Sequence, residues 1–305
     1  MTESVDKSRP RAADAHAPLN APAAGAPEAQ PRRTDAPADE PAYSAAPGEP
    51  VRLSPHTPLE DAQALMHRAW EATGRTRIRL ARKALSLSRD CADAYVLLGD
   101  ETARSLEEAC ALYEQGVKAG ERALGTSFER LAGGFWDDLA RPYMRARYAL
   151  ADCLWALGQS QQAITHLADM LRLNPTDEQG IRYVLARFLL ETEADEALGE
   201  LLQRYRGDSG AFMAYTRALA AYRAEGASFR AEVLLRAALV SNYYVPGYLL
   251  GRRPIPYDVP SAYALGREDE AVTYATEFVG AWAMSGDALD WLANHTTNPR
   301  PHRGH

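Results

Sequence analysis

An all-α fold of helical hairpins stacked into a solenoid is predicted by three observations. No stretch alternates apolar and polar residues as a half-buried strand would. Proline is absent from Leu59 to Arg141, where Leu59, Ala62, Leu65, Met66, Ala69 and Trp70 recur in steps of three and four, the spacing of one helix face. Ala163, Ala197 and Ala231 stand 34 residues apart, and each is followed four residues later by a leucine (Leu167, Leu201, Leu235).

The elements follow in chain order. Residues 1–58 hold 11 of the 19 prolines, and over the first 50 the only large apolar side chains are Met1, Val5, Leu19 and Tyr43. Such a segment cannot bury enough surface to offset backbone ordering, about 1–2 kcal/mol per residue, and a disordered Pro/Ala-rich tail is expected. The helical repeats are expected over 59–242. Gly74 divides a first hairpin, whose second run carries Ile78, Ala81, Ala84 and Leu85 on one side and Arg75, Arg77, Arg79 and Arg82 largely on the other. A second, irregular unit spans Ala94 to Gly120. Ala123 to Tyr143, with Gly133-Gly134-Phe135-Trp136 and Asp137-Asp138, reads as a loop or broken helix between repeats.

The most regular unit runs from Met144 to Asp177. Its first helix is expected from about Pro142 to Leu157, because a first-turn proline sacrifices no hydrogen bond. Gly158 permits the turn, and Gln161 to Leu173 forms the second helix, ended by Asn174-Pro175. Alanine at the middle of each second helix lets paired helices approach closely, and the leucine one turn later fills the adjoining space. Tyr243 to Tyr263 contains five of the 15 tyrosines with Pro246, Pro254, Pro256 and Pro260, so no regular helix is expected there. Glu268 to Trp282 and Asp287 to His295 read as a closing helical pair, giving a C-terminal unit over 243–294 and a flexible tail over 295–305.

The pattern of Leu150-Ala151, Leu154, Gly158, Ala163, Leu167, Leu171 and Pro175 resembles a tetratricopeptide repeat. The stretches Arg141-Pro142-Tyr143-Met144-Arg145-Ala146-Arg147 and Tyr244 to Gly251 are similar to a bacterial group related to the suppressor-of-tumorigenicity-7 family, over about residues 60–294. The repeat resemblance implies a groove lined by the first helix of each pair. Arg145, Tyr148, Asp152 and Trp155 fall on that face, then Gln179, Arg182 and Ala186, then Met213, Thr216 and Arg223. Flat aromatics beside guanidinium groups are the residue types that carry binding energy, and they suit an acidic or carboxylate-bearing peptide. Tetratricopeptide domains that clamp a chaperone's C-terminal carboxylate use lysine and asparagine; Asp152, Ala186 and Ala220 occupy the corresponding positions here, so that clamp is not expected.

Composition limits the alternatives. The net charge of -7 has the wrong sign for a protein that coats nucleic acid or anionic lipid. No apolar run approaches the ~18 residues of a membrane helix, and no secretory signal is read at the start. Cys91, Cys110 and Cys153 form no CxxC pair, which fits a reducing cytoplasm. No HExxH, GxxxxGK[ST] or GxSxG motif occurs, so no enzyme activity, metal or cofactor is expected. Cys153 reads as core packing, and the histidines His16, His56, His67, His166, His295, His302 and His305 form no helical ligand pair. The expectation is a non-catalytic scaffold for an unidentified protein or peptide partner. The alternative is an accessory subunit that binds RNA or another polyanion through the basic patch at 75–83. A third reading, a hydrolase built on Tyr257 or Asp258, would need turnover that depends on them.

Overall fold

The computed structural model describes residues 57–125, 140–260 and 262–296. The tail expected over 1–58 lies outside the described residues save for Thr57 and Pro58, as do the insertion's 126–139 and the C-terminal residues from 297. Thirteen helices and no β-strand occur among the described residues. The helices are α1 (Pro58–Glu71), α2 (Gly74–Leu87), α3 (Ala92–Thr102), α4 (Leu106–Leu124), α5 (Arg141–Ala156), α6 (Ser160–Leu173), α7 (Ile181–Glu191), α8 (Asp195–Arg204), α9 (Ala211–Glu225), α10 (Phe229–Ser241), α11 (Val245–Leu249), α12 (Glu268–Ala283) and α13 (Ala288–Thr296). None of them is long and apolar enough to cross a membrane.

Local chemistry explains where several helices start. At α1 the Thr57 hydroxyl accepts from the Glu60 amide at 3.2 Å while the Glu60 carboxylate accepts from the Thr57 amide at 2.6 Å, and Pro58 takes the first helical position. Ser105 and Ser228 cap α4 and α10 through the amides of Glu108 and Ala231. Asp177 serves α7 by accepting from the amides of Ile181 (2.7 Å) and Arg182 (3.0 Å).

Successive helices pair as α1/α2, α3/α4, α5/α6, α7/α8 and α9/α10. Two cores run through the array. Met66, Ala69, Ala81, Ala84 and Leu97 fill the first, beneath α1–α3; the second extends from α3 to α13. α3 joins them, with Ala94 and Leu97 in one and Ala92 and Val96 in the other. Between α4 and α5 the backbones meet closely: a Cβ at Gly120 would stand 2.8 Å from the Tyr143 Cβ and 3.0 Å from its Cα. Only glycine fits there.

The repeat phase differs from the one read in the sequence. Ala163 and Ala231 are fully buried, but Ala197 is exposed and Leu198 takes the buried place. The turn ahead of α8 is the reason. Gly158 (φ 75) makes the left-handed turn before α6, and at the corresponding turn Glu193 adopts φ 55 although it is not a glycine. Counted from those turn residues and from Gly226, the inward positions are Ala163, Leu198 and Ala231, so the true spacings are 35 and 33. Leucine therefore fills the inward position of α8 that alanine takes in α6 and α10.

The C-terminal segment does not simply continue the line. The Tyr243–Tyr263 stretch contains only the short α11, opened by Pro246 in its first turn. The expected closing pair is helical, as α12 and α13, but α12 lies across α7 and α9, the first helices of two consecutive hairpins. Phe212 on α9 meets the rings of Tyr274 and Phe278 edge-on at 5.5 and 5.8 Å, and Tyr215 meets Tyr274 and Trp282. α9 is therefore covered by α7, α8, α10, α12 and α13, which accounts for its nearly all-round burial from Ala211 to Leu219.

Candidate binding face

α5 presents Arg145, Tyr148, Asp152 and Trp155 at spacings of three, four and three, which set them on one stripe; all four are half-buried. Trp155 is held flat against Phe188 of α7, with ring centroids 3.6 Å apart and planes 9° from parallel. Arg187 lies over the same Phe188 ring at 4.8 Å and pairs with Glu191 at 3.5 Å. Its Nε is buried without a hydrogen-bond partner. From α12, Glu277 comes within electrostatic reach of both Arg187 and Tyr148. Burial pushes the Glu277 carboxyl up to about 7, against the opposing pull of Arg187. Burial likewise raises the Tyr148 hydroxyl, with Asp152 and Glu277 adding to the effect. The assembled strip is thus Tyr148, Asp152 and Trp155 with Phe188, Arg187 and Glu277: a rigid aromatic platform edged by carboxylates.

The arginines fare differently. Arg145 is held by Asp93 of α3 through two bonds of 2.8 and 2.6 Å. Arg182 is consumed at the junction of two hairpins. It binds the Asp177 carboxylate at 2.9 Å, the Asp208 carboxylate at 2.8 Å and the Tyr183 hydroxyl at 2.6 Å. Tyr183 in turn donates to Asp208 at 2.8 Å. Arg223 sits at the opposite end of α7, where it donates to the Leu190 carbonyl at 2.7 Å and pairs with Asp195 at 3.1 Å. Of the six residues expected to line the groove, Tyr148, Asp152 and Trp155 converge, Arg145 borders them in an ion pair, and Arg182 and Arg223 hold the ends of α7. Met213 and Thr216 are buried, and Gln179 and Ala186 offer no exposed polar group to this strip.

Sequence reading missed Arg187, Phe188 and Glu277. Phe188 and Arg187 lie on α7 within the range already considered, so one further helical step would have reached them; Glu277 could not be found that way, because only the crossing of α12 brings it here. Elsewhere, Cys153 is buried and its thiol donates to the Leu106 carbonyl at 3.2 Å, beside Cys110. Tyr257 is fully exposed. Among the described residues no group of three or more His, Cys, Asp or Glu side chains is arranged to hold a metal ion.

Taken together these features define an all-α protein of serially packed helical hairpins, locked by buried ion pairs, with an aromatic strip left half-open. The chain belongs to the ST7 protein family, whose profile matches residues 54–298. It is 32% identical over 145 residues to the suppressor of tumorigenicity 7 protein-like of Bos taurus, covering 45% of this chain and 26% of that protein. The Homo sapiens protein of the same name gives 32% over 145 residues, 45% and 25%. The suppressor of tumorigenicity 7 protein of Macaca fascicularis gives 27% over 167 residues, 45% and 31%. The chain thus spans about a quarter to a third of the length of these curated relatives.

Proposed function

We propose that the chain is a non-catalytic scaffold, built in the manner of a tetratricopeptide array, that holds a segment of a protein partner against the strip of Tyr148, Asp152 and Trp155. The observation that carries this reading is the 3.6 Å stack of half-buried Trp155 on Phe188. A large aromatic already fixed in the free protein loses little side-chain freedom on binding, which is the property of residues that dominate interface energy. Because Arg145 and Arg182 are matched internally and Arg187 pairs with Glu191, the charges left to the strip are those of the Asp152 carboxylate and of Glu277, which burial keeps only partly ionised near pH 7. They favour a partner segment with a basic residue near an apolar one, rather than the acidic peptide the sequence suggested. The three buried free thiols agree with a reducing cytoplasm as its compartment.

Affinity capture from native extract, comparing wild type with Asp152→Lys and with Glu196→Lys on the exposed surface of α8, tests the reading. Partners lost with Asp152→Lys and kept with Glu196→Lys support it; identical partners in all three overturn it.

A second reading has its own observation. On α2 the side chains of Arg75, Arg79, Arg82 and Lys83 are exposed, and of the patch only Arg77 turns inward, to Glu101 at 3.0 Å and over the Trp70 ring at 5.1 Å. This cationic face supports binding of RNA or another polyanion. Affinity would then fall with salt by a logarithmic slope of about 0.7–0.9 per phosphate contacted; an affinity for single-stranded RNA that does not change with salt removes this reading.

A further inference from the structure

A groove beside α8 and α10 is not explained by the strip on α5. α8 has 10 residues where α6 has 14; a cavity of about 700 Å³ opens between α8 and the α9/α10 hairpin, and an adjoining one of about 490 Å³ is lined by the loop after α8, by α9 and α10 and by Leu265-Gly266. The larger is lined by side chains of three helices: Leu202 from α8, Ala220 and Ala224 from α9, and Phe229, Val233 and Leu234 from α10. Small residues on the α9 floor allow close approach of another helix. On the α10 wall, Phe229 is 79% exposed, Val233 45% and Val240, in the smaller cavity, 88%. A run of large apolar groups this exposed on a single helix marks an interaction surface.

Charge identifies the occupant. Arg206 and Arg217 line both cavities, where the two meet. The acids nearby are already matched: Asp195 to Arg223 at 3.1 Å, and Asp208 to Arg182 at 2.8 Å. Arg230 on the rim is matched by Glu225 at 2.8 Å. Arg217 donates to the carbonyls of Asp208 (2.8 Å) and Tyr205 (2.7 Å), and the carboxylate within its electrostatic reach, Asp208, is already bonded to Arg182. Exposed Arg206 has no ion pair among the described residues. The centre of an apolar groove is therefore positive in a chain whose net charge is -7.

We propose that this groove between α8 and α10 docks an amphipathic helix of a partner protein, with its apolar face on Phe229, Val233 and Leu234 and an acidic residue on Arg206 and Arg217. Helix-in-groove recognition of this kind reads apolar anchors at helical spacing, while flanking charges select the partner.

The probe is a fluorescent helical peptide of about 14 residues, roughly 20 Å and so the length of α10, with leucines on one face flanked by glutamates. A second version carries lysines in place of the glutamates. Anisotropy with the full chain is expected to give at least tenfold tighter binding of the glutamate peptide. Val233→Glu is expected to remove binding with an unchanged helical circular dichroism spectrum, and Arg206→Glu to reverse the preference toward the lysine peptide, an outcome that mere loss of folding cannot produce. Three results overturn the proposal: equal or absent binding of the two peptides, affinity that survives Val233→Glu, or a chain that sediments as a dimer which Val233→Glu dissociates. The last would make a second copy the occupant.

Discussion

The Glu270 carboxylate of α12 accepts a hydrogen bond from the Ala211 amide, the first of α9, at 2.8 Å, although 59 residues separate them. The same carboxylate accepts from the Asn242 side chain at 2.9 Å and from the Gly266 amide at 2.7 Å, and Glu270 is wholly buried. One acidic side chain thus satisfies the buried start of α9, the residue that ends α10 and the approach to α12.

Replacing this group should cost heavily. Glu270→Ala leaves the amides of Ala211 and Gly266 without this acceptor and leaves the Asn242 side-chain amide with only the Arg267 carbonyl, each lost bond being worth about 1–3 kcal/mol. A loss of at least about 3 kcal/mol is expected from urea unfolding; a loss below about 1 kcal/mol would show that the three donors find other partners.

Glu277 predicts a pH dependence. Its folded-state value, about 7, lies above the ordinary 4.5, so across that interval the folded protein retains a proton that the unfolded chain has released. Its contribution to stability is therefore lost as pH rises from about 4.5 to about 7 and is constant above. Glu277→Gln should gain about 2 kcal/mol over wild type at pH 8, after allowance for partial exposure, and nothing at pH 4. Paired thermal melts at those two pH values check this; an equal difference at both would place the effect in packing rather than ionisation.

Gly120→Ala tests the contact between α4 and α5. A methyl group would strike the Tyr143 Cβ and Cα, which cannot rotate aside. Overpacking of about 1–3 kcal/mol should outweigh the helix-propensity gain of about 1 kcal/mol, so the variant melts lower than wild type.

The revised repeat phase is checked by a neighbouring pair. Leu198→Ala should cost about 2–5 kcal/mol through the cavity it leaves, whereas Ala197→Lys should stay within about 0.5 kcal/mol of wild type. The reverse ranking would restore the uniform 34-residue spacing.

Much of the architecture was legible because each hairpin is specified locally. The helix starts at Pro58 and at Arg141-Pro142, the Gly158 turn and the Asn174-Pro175 stop all arise from residues near one another in sequence, and the structure places them within a residue or so of where the sequence did. The phase error at Ala197 came from a turn that uses Glu193 in a conformation normally given to glycine, which no composition rule signals. The site was less legible. Tyr148, Asp152 and Trp155 follow from helical spacing alone, but whether an arginine on that face is free depends on acids elsewhere. Asp93 for Arg145, Asp177 and Asp208 for Arg182, and Asp195 for Arg223 are set by packing between hairpins, not by the spacing of the arginines.

The crossing of α12 over α7 and α9 has a consequence for biosynthesis. During synthesis from the N-terminus, Phe212 and Tyr215 leave the ribosome well before Tyr274, Phe278 and Trp282 exist to cover them. Hairpins up to α6 can mature as they emerge, while the later ones must wait with aromatic surface uncovered, so nascent chains arrested before Glu268 are where chaperone engagement and aggregation should concentrate.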